Sequence, residues 1–192
     1  SDDEAFASLP RFAEDIAAGL AWLARRDEVR ADRVALVGHS VGAGAALLHA
    51  ARAGGVRGVV SLSAFAHPRE VMRRFMADKR VPAPVGWYVM RHVQRVIGAR
   101  FDDIAPAATI ARVGCPVLLV HGRADTTAPF DDALRLQAAA APGTRLVAVD
   151  GDHDLREALA PHADEVVAFL RDACDRVSDT MPGIETDPGR PR

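Results

Sequence analysis

Val34-Ala35-Leu36-Val37-Gly38-His39-Ser40-Val41-Gly42-Ala43-Gly44 decides the reading of this chain. An apolar strand runs straight into Gly-x-Ser-x-Gly, and small residues suited to a helix start follow. This is the pattern of a nucleophile elbow. Ser40 must stand on a sharp strand-to-helix turn so that its Oγ projects from the C-terminal edge of a sheet. Such a backbone is strained, and side chains two residues to either side are expected to collide with the turn. Gly38 and Gly42 remove those collisions. A helix that begins at Ser40 aims its N–H dipoles at any oxyanion formed there, and the Val41 N–H is the candidate donor.

Outward from the elbow, strands and helices alternate. Ser8-Leu9-Pro10 reads as a cap followed by proline in a first helical turn. Phe12, Ile16, Leu20 and Leu23 recur at helical spacing, which predicts an amphipathic helix over 9–26. Strands are predicted at Arg33–Val37, Val56–Ser63, Cys115–Val120 and Thr144–Val149, with helices at 40–53, 130–141 and 161–176 between and after them. That alternation implies an α/β fold with a parallel sheet covered on both faces.

Residues 67–110 break the alternation. Val71, Met72, Phe75 and Met76 line one helical face, a Pro-rich turn follows at Val81–Pro84, and Val89, Met90, Val93, Val96 and Ile97 line a second face. The expectation is a helical cap over the sheet edge, with Trp87, Tyr88 and Met90 as an apolar wall for substrate. Residues 68–100 carry eight Lys or Arg against two carboxylates. That excess suits either attraction of anions or a solvated basic face.

A serine hydroxyl needs a base, and the base needs an orienting group. His153, in the loop after the fourth strand, is the candidate base. Asp125, in the loop after the third, is the candidate acid. Loops at the C-terminal ends of parallel strands are where sites gather. Of the other histidines, His121 ends a strand and is placed to brace the acid loop, while His49, His92 and His162 lie on helices. His67 follows the second strand and is a candidate substrate contact. His39 is another, although its side chain is expected to leave the elbow on the side opposite Ser40.

The whole chain sets broad bounds. Its 192 residues suit one domain with a sizeable core, and 49% hydrophobic with 26% charged residues is ordinary for a globular protein. A net charge of −2 points to neither nucleic acid nor an anionic membrane. Two cysteines, Cys115 and Cys174, are too few for a disulfide framework. No apolar run reaches the length of a membrane span, and a cytoplasmic location is the expectation, with the N-terminus out of view. No metal or cofactor is called for. The stretch 178–192, with three prolines and two glycines, reads as a disordered tail.

Gly38–Gly42, Pro116–Gly122 with Asp125 and Pro129, and Gly151 with His153 together resemble the α/β-hydrolase superfamily, nearest its serine-aminopeptidase-like and dienelactone-hydrolase-like branches. The resemblance covers about Ser1 to Cys174, within a domain drawn at 1–177. It implies hydrolysis of an ester, amide or thioester of a small molecule through an acyl-enzyme. Ser40 would be nucleophile, His153 base and then acid, and Asp125 its orienter. Serine at the elbow argues against dienelactone hydrolysis proper, which uses cysteine there, and against the branches that use aspartate. The same residues would serve an acyltransferase or thioesterase. A non-catalytic binding module of the same fold is the alternative from another class. The family places four strands before the elbow strand, whereas about 33 residues precede it here. The chain is therefore expected to be the C-terminal part of such a fold, with Ser1-Asp2 a loop remnant. It should lack one oxyanion donor and have an unpaired strand at Val34–Val37. On its own it should be a weak, aggregation-prone catalyst whose oligomeric state is left open.

Overall fold

The computed structural model describes residues 8–176. The expected tail at 178–192 and the expected loop remnant at Ser1-Asp2 lie outside them. Four strands form one parallel sheet in the order β1 (Leu36–His39), β2 (Val59–Leu62), β3 (Val117–Gly122) and β4 (Arg145–Val149). The register pairs Val37 with Val60, Val60 with Leu118, and Val120 with Val147.

Each strand lies a few residues from its expected bounds. β1 starts at Leu36 because Ala31–Arg33 forms a 3₁₀ turn, and it runs on through Gly38 and His39. β2 is shorter than 56–63, its lead-in held by Arg57 N–H on the Val34 carbonyl. β3 keeps His121 and Gly122, two residues past its expected end.

Side chains alternate across the sheet, so β2, β3 and β4 each feed two cores, while β1 adds only Leu36 to one of them. Leu36, Val59, Val117, Leu119 and Leu146 enter one core, which also holds Ala43, Ala46 and Leu47 of helix α2 (Val41–Arg52). Val60, Leu118, Val120, Val147 and Val149 face the other way, against Phe169 and Leu170 of the last helix, α8 (Ala163–Asp175). The Gly58 Cα lies so close to α8 that a Cβ there would meet Ala173 at 2.9 Å.

Helix α1 (Leu9–Leu23) starts where Ser8 accepts a bond from the Arg11 N–H, as its cap and proline predict. It lays Ile16 and Leu20 on the α2 side of the core. It ends at Leu23, and single turns carry the chain on to Arg26. Helix α7 (Phe130–Ala139) connects β3 to β4.

The interval 67–110 contains four helices and divides into two parts. Helices α3 (Pro68–Asp78) and α4 (Ala83–Val96) stand outermost, with Phe75, Trp87 and Tyr88 exposed. The short helices α5 (Phe101–Ile104) and α6 (Pro106–Thr109) are built into the protein, with Phe101, Ile104, Thr109 and Ile110 buried. A small cluster of Leu9, Leu48, Phe65 and Phe101 receives Met72, Met90 and Val93 and joins the outer helices to the body.

Strand β1 lies at one edge of the sheet. Among the described residues no strand pairs with its outer side, and Val37 is 56% exposed on an uncovered face. Among the described residues no helix is long and apolar enough to cross a membrane.

Candidate active site

Ser40 follows β1 directly and caps α2 with φ 53° and ψ −116°, a conformation that L residues rarely adopt. Two bonds hold this strain in place. The Ser40 N–H donates to the Leu62 carbonyl of β2 at 2.8 Å, and the Ser40 carbonyl accepts the Gly44 N–H at 3.1 Å. Because that bond starts at Gly44, the Val41 N–H has no helical partner, as for any first helical residue.

Asp125 and His153 come from the loops after β3 and β4. Those loops touch through glycines. A Cβ on Gly122 would lie 2.4 Å from the Gly151 carbonyl oxygen, and a Cβ on Gly151 would lie 2.4 Å from the Ala158 Cβ. The Ala124 N–H then reaches the Gly151 carbonyl at 3.0 Å. Gly122 accommodates no other residue without moving one loop off the other, and Gly151 none without moving Ala158 of its own loop.

The three side chains form one line. Asp125 Oδ2 lies 2.8 Å from His153 Nδ1, and His153 Nε2 lies 3.0 Å from Ser40 Oγ. The Asp125 carboxylate is buried. Its Oδ1 accepts the N–H groups of Thr127 and Ala128 at 2.9 and 2.8 Å, which fixes the plane of the group. His121 donates from Nε2 to the Ala128 carbonyl at 2.7 Å and stands 3.4 Å from Asp125 Oδ2, bracing the acid loop from beneath. A carboxylate only accepts, so the His153 proton sits on Nδ1 and the Nε2 lone pair faces Ser40. This arrangement can take the hydroxyl proton as Oγ attacks a carbonyl carbon.

The remaining candidates are placed differently. His39 does not turn away from the site: its Nε2 bonds the main-chain carbonyl of His153 at 2.7 Å, and the two rings lie 5.0 Å apart. Strand alternation carries its side chain to the face across which the His153 loop arrives. His67 has both ring nitrogens engaged. Nδ1 accepts the Arg69 N–H at 3.1 Å as the cap of α3, and Nε2 pairs with Asp102 at 3.1 Å. The ring is thus a clasp between α3 and α5. Trp87 and Met90 line a groove of about 540 Å³ between α3 and α4, and neither Ser40 nor His153 lines it. Tyr88 stacks on His92 with its ring exposed.

Sequence reading missed the bonds that fasten α3 to α7. Glu70 bonds Arg135 at 2.6 Å, and buried Asp132 pairs with Arg74 at 3.2 Å and Arg135 at 3.4 Å. The Arg135 hydrogen bond holds the Glu70 carboxyl below its ordinary value. No periodicity announces pairs 58 and 65 residues apart.

This layering and this elbow define an α/β-hydrolase. Residues 11–167 match the prolyl oligopeptidase family, and the chain belongs to it. Solved structures agree in fold. A puromycin-hydrolyzing peptidase of Mycobacterium tuberculosis is similar with a TM-score of 0.69 at 19% identity, over 85% of this chain and 25% of that one. A Pyrococcus furiosus esterase gives 0.64 at 17%, over 87% and 64%. A 2,6-dihydroxy-pseudo-oxynicotine hydrolase gives 0.61 at 18%, over 85% and 46%. The chain thus spans a quarter to two thirds of the length of these three proteins. At these identities the likeness establishes the fold. No curated protein matches the chain.

Proposed function

We propose that this chain carries the catalytic machinery of a serine hydrolase that cleaves an ester, amide or thioester of a small molecule through an acyl-enzyme on Ser40. The observation that carries the reading is the unbroken line from Asp125 through His153 to Ser40, with Ser40 on a strained turn at a helix start. In the first step the Ser40 Oγ–C bond forms while the Oγ proton passes to His153 Nε2. The carbonyl electron pair moves onto oxygen, where the Val41 N–H is positioned as a donor. Collapse of that adduct expels the leaving group, which takes the proton from His153. Water then repeats the sequence and frees the acid. Asp125 stabilises the imidazolium and holds its tautomer. Helices α3 and α4 are the proposed cap, and since neither Ser40 nor His153 lines the groove that holds Trp87 and Met90, that groove would take a part of the substrate remote from the scissile bond.

Family membership supports the hydrolase class, and peptidases and esterases both stand among the structural neighbours. The test is rapid mixing with a p-nitrophenyl ester. The expected result is a burst of nitrophenolate, stoichiometric with enzyme, that Ser40→Ala abolishes. Turnover that survives Ser40→Ala would refute the assignment.

A further inference from the structure

β1 and β4 are opposite edges of the sheet. The His153 loop leaves β4 and must pass the ends of β3 and β2 to reach Ser40, a span of three strand spacings or about 14 Å. Early in that span Gly151 is tied to Ala124, and after it Leu155 is buried with φ 58°. Between these anchors the Asp152 carbonyl packs over Gly122, where a Cβ would meet it at 2.5 Å, and its side chain closes a local turn on the Asp154 N–H. Among the described residues, the one hydrogen bond to the main chain of His153 comes from His39 Nε2, at 2.7 Å.

We infer that His39 is a positioning residue: its Nε2–H tethers the far end of the base-bearing loop to the elbow strand and so sets the distance from His153 to Ser40. The inference rests on the proposed function for its effect on rate, but the tether itself is a separate structural claim. His39 is the last residue of β1, and Ser40 is the next residue in the chain. Nucleophile and base are therefore referred to the same piece of backbone. Without the tether, the segment between the Gly151 and Leu155 anchors is held at His153 only by the Asp125 and Ser40 bonds to the imidazole, and reaction rate is steeply sensitive to displacement there. The donor has to be at the ε position. Gln places an N–H near that point, whereas Leu fills similar volume and donates nothing.

Two readouts on His39→Leu and His39→Gln test this in the full chain. The first is the downfield proton resonance of the His153 Nδ1–H bonded to Asp125. It is expected in the wild type and in His39→Gln, and broadened or lost by exchange in His39→Leu. The second is the rate at which a fluorophosphonate probe labels Ser40. It is expected to fall by about ten- to a hundredfold in His39→Leu and to recover most of that in His39→Gln. Thermal midpoints should stay together, because the His39 ring is exposed. A His39→Leu protein that keeps both the resonance and the rate overturns the tether. So does a His39→Gln protein as impaired as His39→Leu. If no variant labels, wild type included, yet the resonance responds as expected, the tether stands and the proposed function falls.

Discussion

A Cβ placed on Gly38 would lie 2.4 Å from the carbonyl oxygen of Gly42, while a Cβ on Gly42 meets nothing within 4 Å. The two glycines of the elbow are therefore not equivalent. The sequence motif suggested that both relieve a collision; the clash belongs to Gly38 alone, because the turn folds the first helical backbone back over it. Gly38→Ala is expected to destabilise the protein by about 3 kcal/mol or more. Gly42→Ala, inside α2, should be neutral or gain up to about 1 kcal/mol. Urea unfolding of the two variants measures the difference.

Asp125→Asn should leave the fold intact, since the amide oxygen can still accept from Thr127 and Ala128. It should nevertheless cut kcat by about 10³–10⁴-fold, because the amide NH₂ faces His153 Nδ1 and favours the wrong tautomer. Matching circular dichroism with lost turnover is the expected pair of observations. Turnover within tenfold of wild type would mean that Asp125 does not orient the base.

The Glu70–Arg135 bond should make part of the stability pH-dependent. The Arg135 hydrogen bond lowers the folded-state value of Glu70. The unfolded chain therefore takes up the proton first as pH falls. The stabilisation is complete above the ordinary carboxylate value and is lost as pH drops through the folded one. Glu70→Gln should differ most from wild type near pH 7, and the gap should narrow toward about pH 3. Denaturant midpoints across that range check the sign.

Among the described residues, strand β1 has an open side and an exposed Val37. Unpaired strand edges beside apolar side chains template association. Val37→Lys is expected to lower the concentration-dependent light scattering of the protein without changing its thermal midpoint. Unchanged scattering would show that association, where it occurs, uses another surface.

The sheet and the three aligned side chains were legible in the sequence because each rests on a local signal. Apolar runs mark strands, Gly38 and Ser40 mark the turn, and Asp125 and His153 fall in loops that follow strands. Bounds slipped where polar or glycine residues still pair in the ladder, as at His39, His121 and Gly122. What stayed hidden was long-range. The bond from His39 to His153 spans 114 positions and depends on how far the last loop reaches across the sheet. The same holds for His67, whose position by the sheet edge suggested substrate. Asp102, 35 residues away, occupies its ring instead.

The central claim is that Ser40 is a nucleophile activated by His153. Intact-mass analysis after incubation with a fluorophosphonate, followed by peptide mapping, tests it most directly. The account predicts one adduct per chain, on Ser40, in the wild type, and no adduct in Ser40→Ala or His153→Ala. An unlabelled wild-type protein, or labelling that persists when His153 is replaced, would contradict it.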